Sequence, residues 1–418
     1  MPPVPRTRTT PTRQITCHLH ATPQTTLAVT TTPDDIIEPE RPGRFERIGI
    51  DYIKYLAGRD GGSDDDYAAD DTTLARRVRR VTWAGAAVAF LIGALSAGGA
   101  VYTEIYFDHE PWYIKYSYVG IATALCTAVE FFVLFWVSLR TVYAIGRITG
   151  HTRAHLALLG SAQSGAEDFG FEIPNLLARA ALEIPDPVRR VLGIDPLARV
   201  SKRRLFVVGL LYKAKIVGTN VLAKLFLRRF FGKALTRAGV LAVSIPITGL
   251  WNAVTIWKVA RDARLRLFGN LLSYMIVREE FTPEKLERLS PAAREGCLRA
   301  VGNLVVLTQN HHPNMLILFV RLCRLFEVKD EARFDDWSLF LESLRTVSRQ
   351  ERYFLMDLLA VATAFDGKLS PLERQHLPEA FGEHTEVYLE RIQKLQRHLR
   401  AGRLHAAREL CRLDFTAG

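Results

Sequence analysis

Two stretches of this chain constrain everything else: Val81 to Thr103 runs twenty-three residues without a charge, and Ser117 to Leu139 matches that length with Glu130 as its only charge. At about 1.5 Å per residue, either stretch as a helix is long enough to cross a hydrocarbon core of roughly 30 Å. Arg76, Arg77, Arg79 and Arg80 precede the first stretch, and Arg140, Arg147 and Arg153 follow the start of the segment beyond the second. The segment between them carries Glu104, Asp108 and Glu110 against Lys115 alone. Basic residues thus flank the outer ends while the connection is acidic, which by the positive-inside rule predicts a transmembrane hairpin with both ends cytoplasmic. Tyr102, Tyr106, Trp112, Tyr113, Tyr116 and Tyr118 gather at the far interface, where amphipathic rings are favoured.

Within this hairpin, Gly85, Ala89, Gly93 and Ala97 recur every four residues, so one face of the first span has almost no side-chain bulk. Either the second span packs there or a second copy does, making a homodimer. Glu130 falls near the middle of the second span with Thr123 and Thr127 on roughly its face. An acid at that depth costs on the order of 3 kcal/mol, which predicts a neutral, hydrogen-bonded packing residue ahead of a proton or ion pathway.

The remaining hydrophobic residues and charge also need a place. Lys plus Arg number 55 against 44 Asp plus Glu, a net charge of +11, which predicts an anionic partner surface. Cys17, Cys126, Cys297, Cys323 and Cys411 show neither CxxC pairing nor a His at zinc-ligand spacing, so a reducing compartment fits. Residues 1–40, with eleven Thr and seven Pro and no acid before Asp34, are predicted to be a disordered tail. In residues 41–75, Phe45, Ile48, Tyr52 and Leu56 predict an amphipathic helix ending at Gly58, followed by an acidic linker without the D-x-D-x-D-G spacing of a calcium loop. The hairpin then occupies residues 76–150 and a helical connector residues 151–198.

Arg199 to Arg237 holds eleven Lys or Arg and no acid, so the positive field is local. The uncharged run Ala238 to Trp257 follows, containing Pro246, Gly249 and Asn252. Three arrangements compete for 199–275. A further span ending outside translocates Lys258, Arg261, Arg264 and Arg266, against the positive-inside rule. A second hairpin over 205–257 restores the topology but buries Lys213 and Lys215. The favoured expectation lays these helices on the cytoplasmic leaflet or against the hairpin, with Lys213, Lys224, Arg228, Arg229 and Lys233 reaching anionic lipid headgroups. No RNA or DNA motif accompanies the charge, so nucleic acid is not the expected partner.

Residues 282–418 have the pattern of a soluble helical bundle. Thr282-Pro283 and Ser290-Pro291 each supply an N-cap followed by Pro in the first turn. Cys297, Val301, Leu304, Val305 and Thr308 form one core stripe, interrupted at Asn310-His311-His312-Pro313-Asn314. Phe354, Leu358, Val361, Ala362 and Phe365 form a second, broken at Asp366-Gly367-Lys368-Leu369-Ser370-Pro371-Leu372-Glu373. Ser370 and Glu373 make a capping box around that turn. A further helix presents Tyr388, Ile392, Leu395 and Leu399 on one face. A pseudo-repeat of helix, tight loop, helix results.

Ala364-Phe365-Asp366-Gly367-Lys368-Leu369-Ser370-Pro371-Leu372-Glu373 resembles the signature of TerB-like, tellurite-resistance-associated helical domains. The resemblance implies an all-α bundle in which this turn joins two helices, and acidic residues suggested as metal ligands. Asp366 and Glu373 alone supply too few oxygens for calcium, and His311 and His312 are adjacent rather than four apart, so no metal is expected at any of the four. Pro246-Ile247-Thr248-Gly249-Leu250-Trp251-Asn252, with Ala263, resembles the interrupted segment of EcsC-type bacterial proteins, which implies a peripheral bacterial membrane module.

The sequence therefore predicts an all-α bacterial inner-membrane protein with cytoplasmic termini, no cofactor and no enzymatic motif. The leading expectation is a membrane-anchored scaffold or stress-associated adaptor whose cytosolic domain binds another protein. A transporter subunit using Glu130 and a lipid-modifying or hydrolytic enzyme are the alternatives.

Overall fold

A computed structural model describes residues 43–59, 70–150, 173–182, 194, 237–308, 312–328 and 333–413. These residues form helices and no strand. The expected disordered tail, the acidic linker, most of the connector and nearly all of the basic segment, with Lys213, Lys224, Arg228, Arg229 and Lys233, lie outside the described residues, as does His311.

Helix α1 (Arg44–Arg59) is amphipathic, with Tyr52 and Leu56 of the expected face half-buried and the most buried positions rotated from it. Ile50 and Ile53 are buried while Ile48 is exposed. The rotation follows from two contacts with α4 (Ile173–Ala181). Gly49 lets Ala178 approach so closely that an added Cβ would lie 3.3 Å from it, and Glu46 forms a buried ion pair with Arg179. A buried pair of this kind fixes orientation more than it adds stability.

α2 (Asp71–Tyr106) and α3 (Trp112–Ile148) are long and apolar enough to cross a membrane and pack against one another across a short connection. Asp70 caps α2 by accepting from the Thr72 amide at 3.3 Å. In the first turn of α3, Lys115 is buried and pairs with the more exposed Asp108 of the connection.

α5 (Arg237–Met275) makes the most extensive packing with α2. It runs antiparallel: Ile245 lies by Gly98, Asn252 by Gly93, Ile256 by Gly85, and Arg264 with Ala75 beside Gly402. Its first half leaves Leu250, Trp251, Val254 and Trp257 exposed, whereas Val259, Ala260, Ala263, Leu267, Phe268, Leu271 and Leu272 of its second half are buried. A π-helical turn, Ile276–Glu280, ends it.

The second half of α5 is a wall of the C-terminal bundle. That bundle comprises α6 (Pro283–Arg288), α7 (Pro291–Leu307), α8 (Pro313–Leu325), α9 (Trp337–Thr346), α10 (Arg349–Ala364), α11 (Pro371–Phe381), α12 (Thr385–Ala401) and α13 (Leu404–Leu410). Thr282 and Ser290 cap α6 and α7 with Pro behind them, and Ser348 and Ser370 head full capping boxes on α10 and α11. Central α7 contacts α8, α9 and α10, and Phe319, Phe354, Phe365 and Phe381 are all but fully buried. One continuous core runs from Ile50 and Val78 through Phe268 to Leu413. Asp71 strengthens this union, since its carboxylate accepts from the His405 and Ala406 amides at 2.8 and 2.9 Å, placing a negative charge at the start of α13.

Gly249 approaches α2 so closely that an added Cβ would sit 2.7 Å from the Phe90 carbonyl, which is backbone and cannot swing aside. Gly249→Val should therefore destabilise the chain by about 1–3 kcal/mol, the usual cost of overpacking, read as a lowered thermal midpoint in mild non-ionic detergent.

Candidate functional site

The long helices meet around one polar contact. The Asn252 amide of α5 donates to Glu130 Oε1 of α3 at 2.6 Å, and both residues are buried. The space for Asn252 comes from Gly93 on α2, where any Cβ would lie 2.4 Å from the Asn252 Nδ2. Gly85, one turn-pair lower, leaves room for Thr141 of α3 and Ile256 of α5. Of the stripe expected to mediate packing, Gly85, Ala89 and Gly93 are buried and Ala97 is half-buried. The occupant is therefore chiefly α5 of the same chain, together with α3, and this stripe does not present a free face to a second copy.

Glu130 has the hydrogen-bonded surroundings expected of an acid on an apolar helix, but through a partner that sequence spacing did not reveal. Thr127 is exposed, and Thr123 with Thr127 lines an open groove on an adjoining face of α3. Asn252 was visible as an interruption of an uncharged run. An amide in such a run signals an interhelical partner, because its donors must be satisfied inside the protein. The pair acts as a clamp: it sets the depth of α5 against α3 and keeps a carboxyl off the exposed apolar face of α3.

A second cluster forms where the two helix-loop-helix units meet. Thr308 Oγ1 at the end of α7 donates to Asp366 Oδ2 at 2.9 Å, and Ser370 Oγ donates to the Leu307 carbonyl at 2.8 Å. Asn314 Nδ2 spans further, to the Leu265 and Phe365 carbonyls at 2.9 and 3.1 Å, joining α5 to both units. His312 is buried and caps α8, accepting from the Asn314 amide at 3.4 Å. Glu373 is fully buried; one oxygen accepts from the Ser370 amide at 2.6 Å and the other has no hydrogen-bond partner among the described residues. Burial, then the nearby Asp366 charge, push the Glu373 carboxyl up to about 8. Burial likewise pushes His312 down to about 3.

Asp366, Glu373 and His312 thus serve as turn, cap and junction. Among the described residues no three His, Cys, Asp or Glu side chains converge as metal ligands. Neither a protein family, nor a curated protein, nor a solved structure matches this chain, so its functional reading rests on geometry.

Two outcomes follow. Glu130→Gln retains an acceptor for Asn252 and should leave the thermal midpoint near that of the native chain, whereas Asn252→Leu strands the carboxyl and should cost about 1–2 kcal/mol. The junction predicts a pH profile as well. His312 is neutral in the fold, so its contribution is lost as pH falls below 6.5, the ordinary value, towards 3. Glu373 is protonated in the fold, so stability is lost as pH rises from its ordinary 4.5 towards 8. The two slopes oppose between them, giving a plateau near pH 4.5–6.5 with a fall on each side. Glu373→Gln should flatten the alkaline limb and His312→Asn the acidic one in thermal melts across pH.

Proposed function

We propose that this chain is a membrane-anchored scaffold, an inner-membrane protein whose cytoplasmic helical bundle is mounted rigidly on its spanning helices and offers a surface to another protein. The observation that carries the reading is the exposed apolar belt on α2, α3 and α5. Leu95 is 75% exposed, and Leu91, Leu125, Val129, Phe131 and Phe132 are each about 60% exposed. Such a surface has no stable place in water, and its size marks a membrane or partner interface.

Aromatic rings bound the belt. Trp83 and Tyr102 stand nineteen residues apart on α2, about 28 Å of helix, close to the roughly 30 Å of a hydrocarbon core. Trp83 shares its level with Trp257 of α5, against which Arg261 lies 5.5 Å from the ring centroid. A cation over an exposed tryptophan suits the headgroup boundary. Since α5 is antiparallel to α2, we place its run from Ala238 to Trp257 as a third crossing, with Arg237 at the far face and Lys258 to Arg266 cytoplasmic. This supports the second-hairpin alternative over helices resting on the leaflet. Glu130 belongs to the packing of these spans, because Asn252 already engages it.

The scaffold role follows from rigidity. With α5 continuous from belt to bundle and α13 fastened to Asp71, the bundle cannot swing freely as a tethered domain does. Carbonate-washed membranes should retain the full chain, and non-ionic detergent should release it; recovery in a detergent-free supernatant removes the anchor. In a Cys126→Ala background, cysteines replacing Trp112 and Arg237 should react with an impermeant maleimide applied to intact spheroplasts, whereas one replacing Thr346 should react only after lysis. Protection of the Arg237 site in intact cells overturns the third crossing.

A further inference from the structure

At the seam between the long helices and the bundle lies a cavity of about 480 Å³ whose lining is unlike the rest of the molecule. Arg76 and Arg79 of α2, Arg264 of α5, Arg400 at the end of α12 and Arg403 before α13 converge on it, and no carboxylate among the described residues lines it. Trp83 and Trp257 line it as well, with Thr72, Ala75, Thr82 and Ala401 filling the rest of the wall. Five guanidiniums around one cavity concentrate positive charge there and favour an anion between them.

Arg264 shows the strain of this arrangement most directly. Its Nη2 donates to the Arg400 carbonyl, while its Nε is buried with no hydrogen-bond partner among the described residues. Burial, together with the neighbouring Arg261 charge, pulls its guanidinium down to about 10. Arg400 in turn donates to the Gly367 carbonyl, so both arginines are held in place by backbone rather than by acids. The left-handed Gly402, at φ +78°, turns the chain between Arg400 and Arg403 and lies against Arg264 and Ala75.

The chemistry specifies the ligand. Planar guanidiniums in a fork bind phosphate oxygens in pairs, and tryptophan beside them offers the amphipathic wall found where headgroup meets acyl chain. We propose that this cavity binds the phosphate headgroup of an anionic phospholipid of the cytoplasmic leaflet, with Arg76, Arg79, Arg264, Arg400 and Arg403 around the phosphate and Trp83 and Trp257 along the glycerol and chains. The site rests on the membrane reading above. It joins α2, α5 and the α12–α13 turn, so an occupied cavity ties the bundle to the spanning helices.

The test uses the full chain in uncharged detergent, with the thermal midpoint followed by tryptophan fluorescence. Dioleoyl phosphatidylglycerol, dioleoyl phosphatidylcholine and inorganic phosphate are titrated separately. Phosphatidylglycerol should raise the midpoint saturably and phosphatidylcholine should not. The exposed pair Arg79→Gln/Arg403→Gln should weaken the phosphatidylglycerol response about tenfold or more, while Arg345→Gln/Arg352→Gln, an equal loss of charge on α9 and the start of α10, away from the cavity, should leave it unchanged. Equal responses to both lipids, an unaffected Arg79/Arg403 variant, or an equal loss in the control variant each overturn the site. A response to inorganic phosphate as large as that to phosphatidylglycerol overturns the lipid as its ligand. Fractionation separates the two levels of the argument: a chain that pellets with membranes yet shows no lipid preference refutes the cavity alone, and a chain soluble without detergent refutes the anchor.

Discussion

A helix of thirty-nine residues that exposes Leu250, Trp251, Val254 and Trp257 in one half and buries Val259, Ala263, Phe268 and Leu272 in the other has to satisfy two surroundings along one axis. α5 meets that demand by changing partners. Its first half lies on α2, where Gly85, Gly93 and Gly249 remove the bulk that would hold the backbones apart. Its second half abandons that close approach and becomes a core helix of the bundle, where Gly269 admits Asn314 and Asn270 receives Arg321 at 2.7 and 3.2 Å. The shape of the whole molecule depends on this one element, because shifting α5 by a single turn against α2 would part Asn252 from Glu130 and Asn314 from the Leu265 carbonyl together.

The polar groups buried along α5 explain how its register is held. Apolar surfaces slide past one another at small cost, since a shifted contact buries nearly the same area. A buried amide or carboxyl does not tolerate the shift, because an unmatched donor or acceptor costs its full desolvation. Glu130–Asn252 fixes the upper half of α5, and Asn314 and Arg321 fix the lower half. Arg321 stays charged in that role, although burial draws its guanidinium down to about 10. Stability here comes from apolar packing, and position comes from a handful of amides and guanidiniums.

The bundle was the more legible part of the chain. Ser-Pro and Thr-Pro starts, the Ser370–Glu373 box and the stripes through Cys297, Phe354 and Tyr388 are local signals, written within one or two helical turns, and each has its counterpart in the structure. The site was less legible because it is made of pairs distant along the chain. Glu130 and Asn252 are separated by 122 positions, and Asp71 meets His405 across 334. Nothing in the periodicity of one helix states which other helix will fill its glycine face, which is why the stripe of Gly85, Ala89 and Gly93 was open to a second span or a second copy. α1 shows the same limit on a smaller scale: Ile48, at good spacing, is exposed while Gly49 and Glu46 face inward, because their value depends on Ala178 and Arg179.

Charge placement completes the argument from these same elements. Arg76 and Arg79 of α2, Arg140 and Arg147 of α3, and Lys258, Arg261, Arg264 and Arg266 of α5 all belong to the ends of the long helices that face the bundle. Some of this charge is neutralised within the chain, as Arg266 is by Asp262 at 2.7 Å. The arginines around the seam cavity are held by carbonyls instead, which position a guanidinium without cancelling it. A protein selected only for stability would gain by placing an acid there, as it does for Arg408 with Glu279 a short distance away at 2.8 Å. Five cations left together at the level of two tryptophans suit the anionic headgroup proposed for this cavity, since an internal carboxylate would compete with a phosphate for the same guanidiniums.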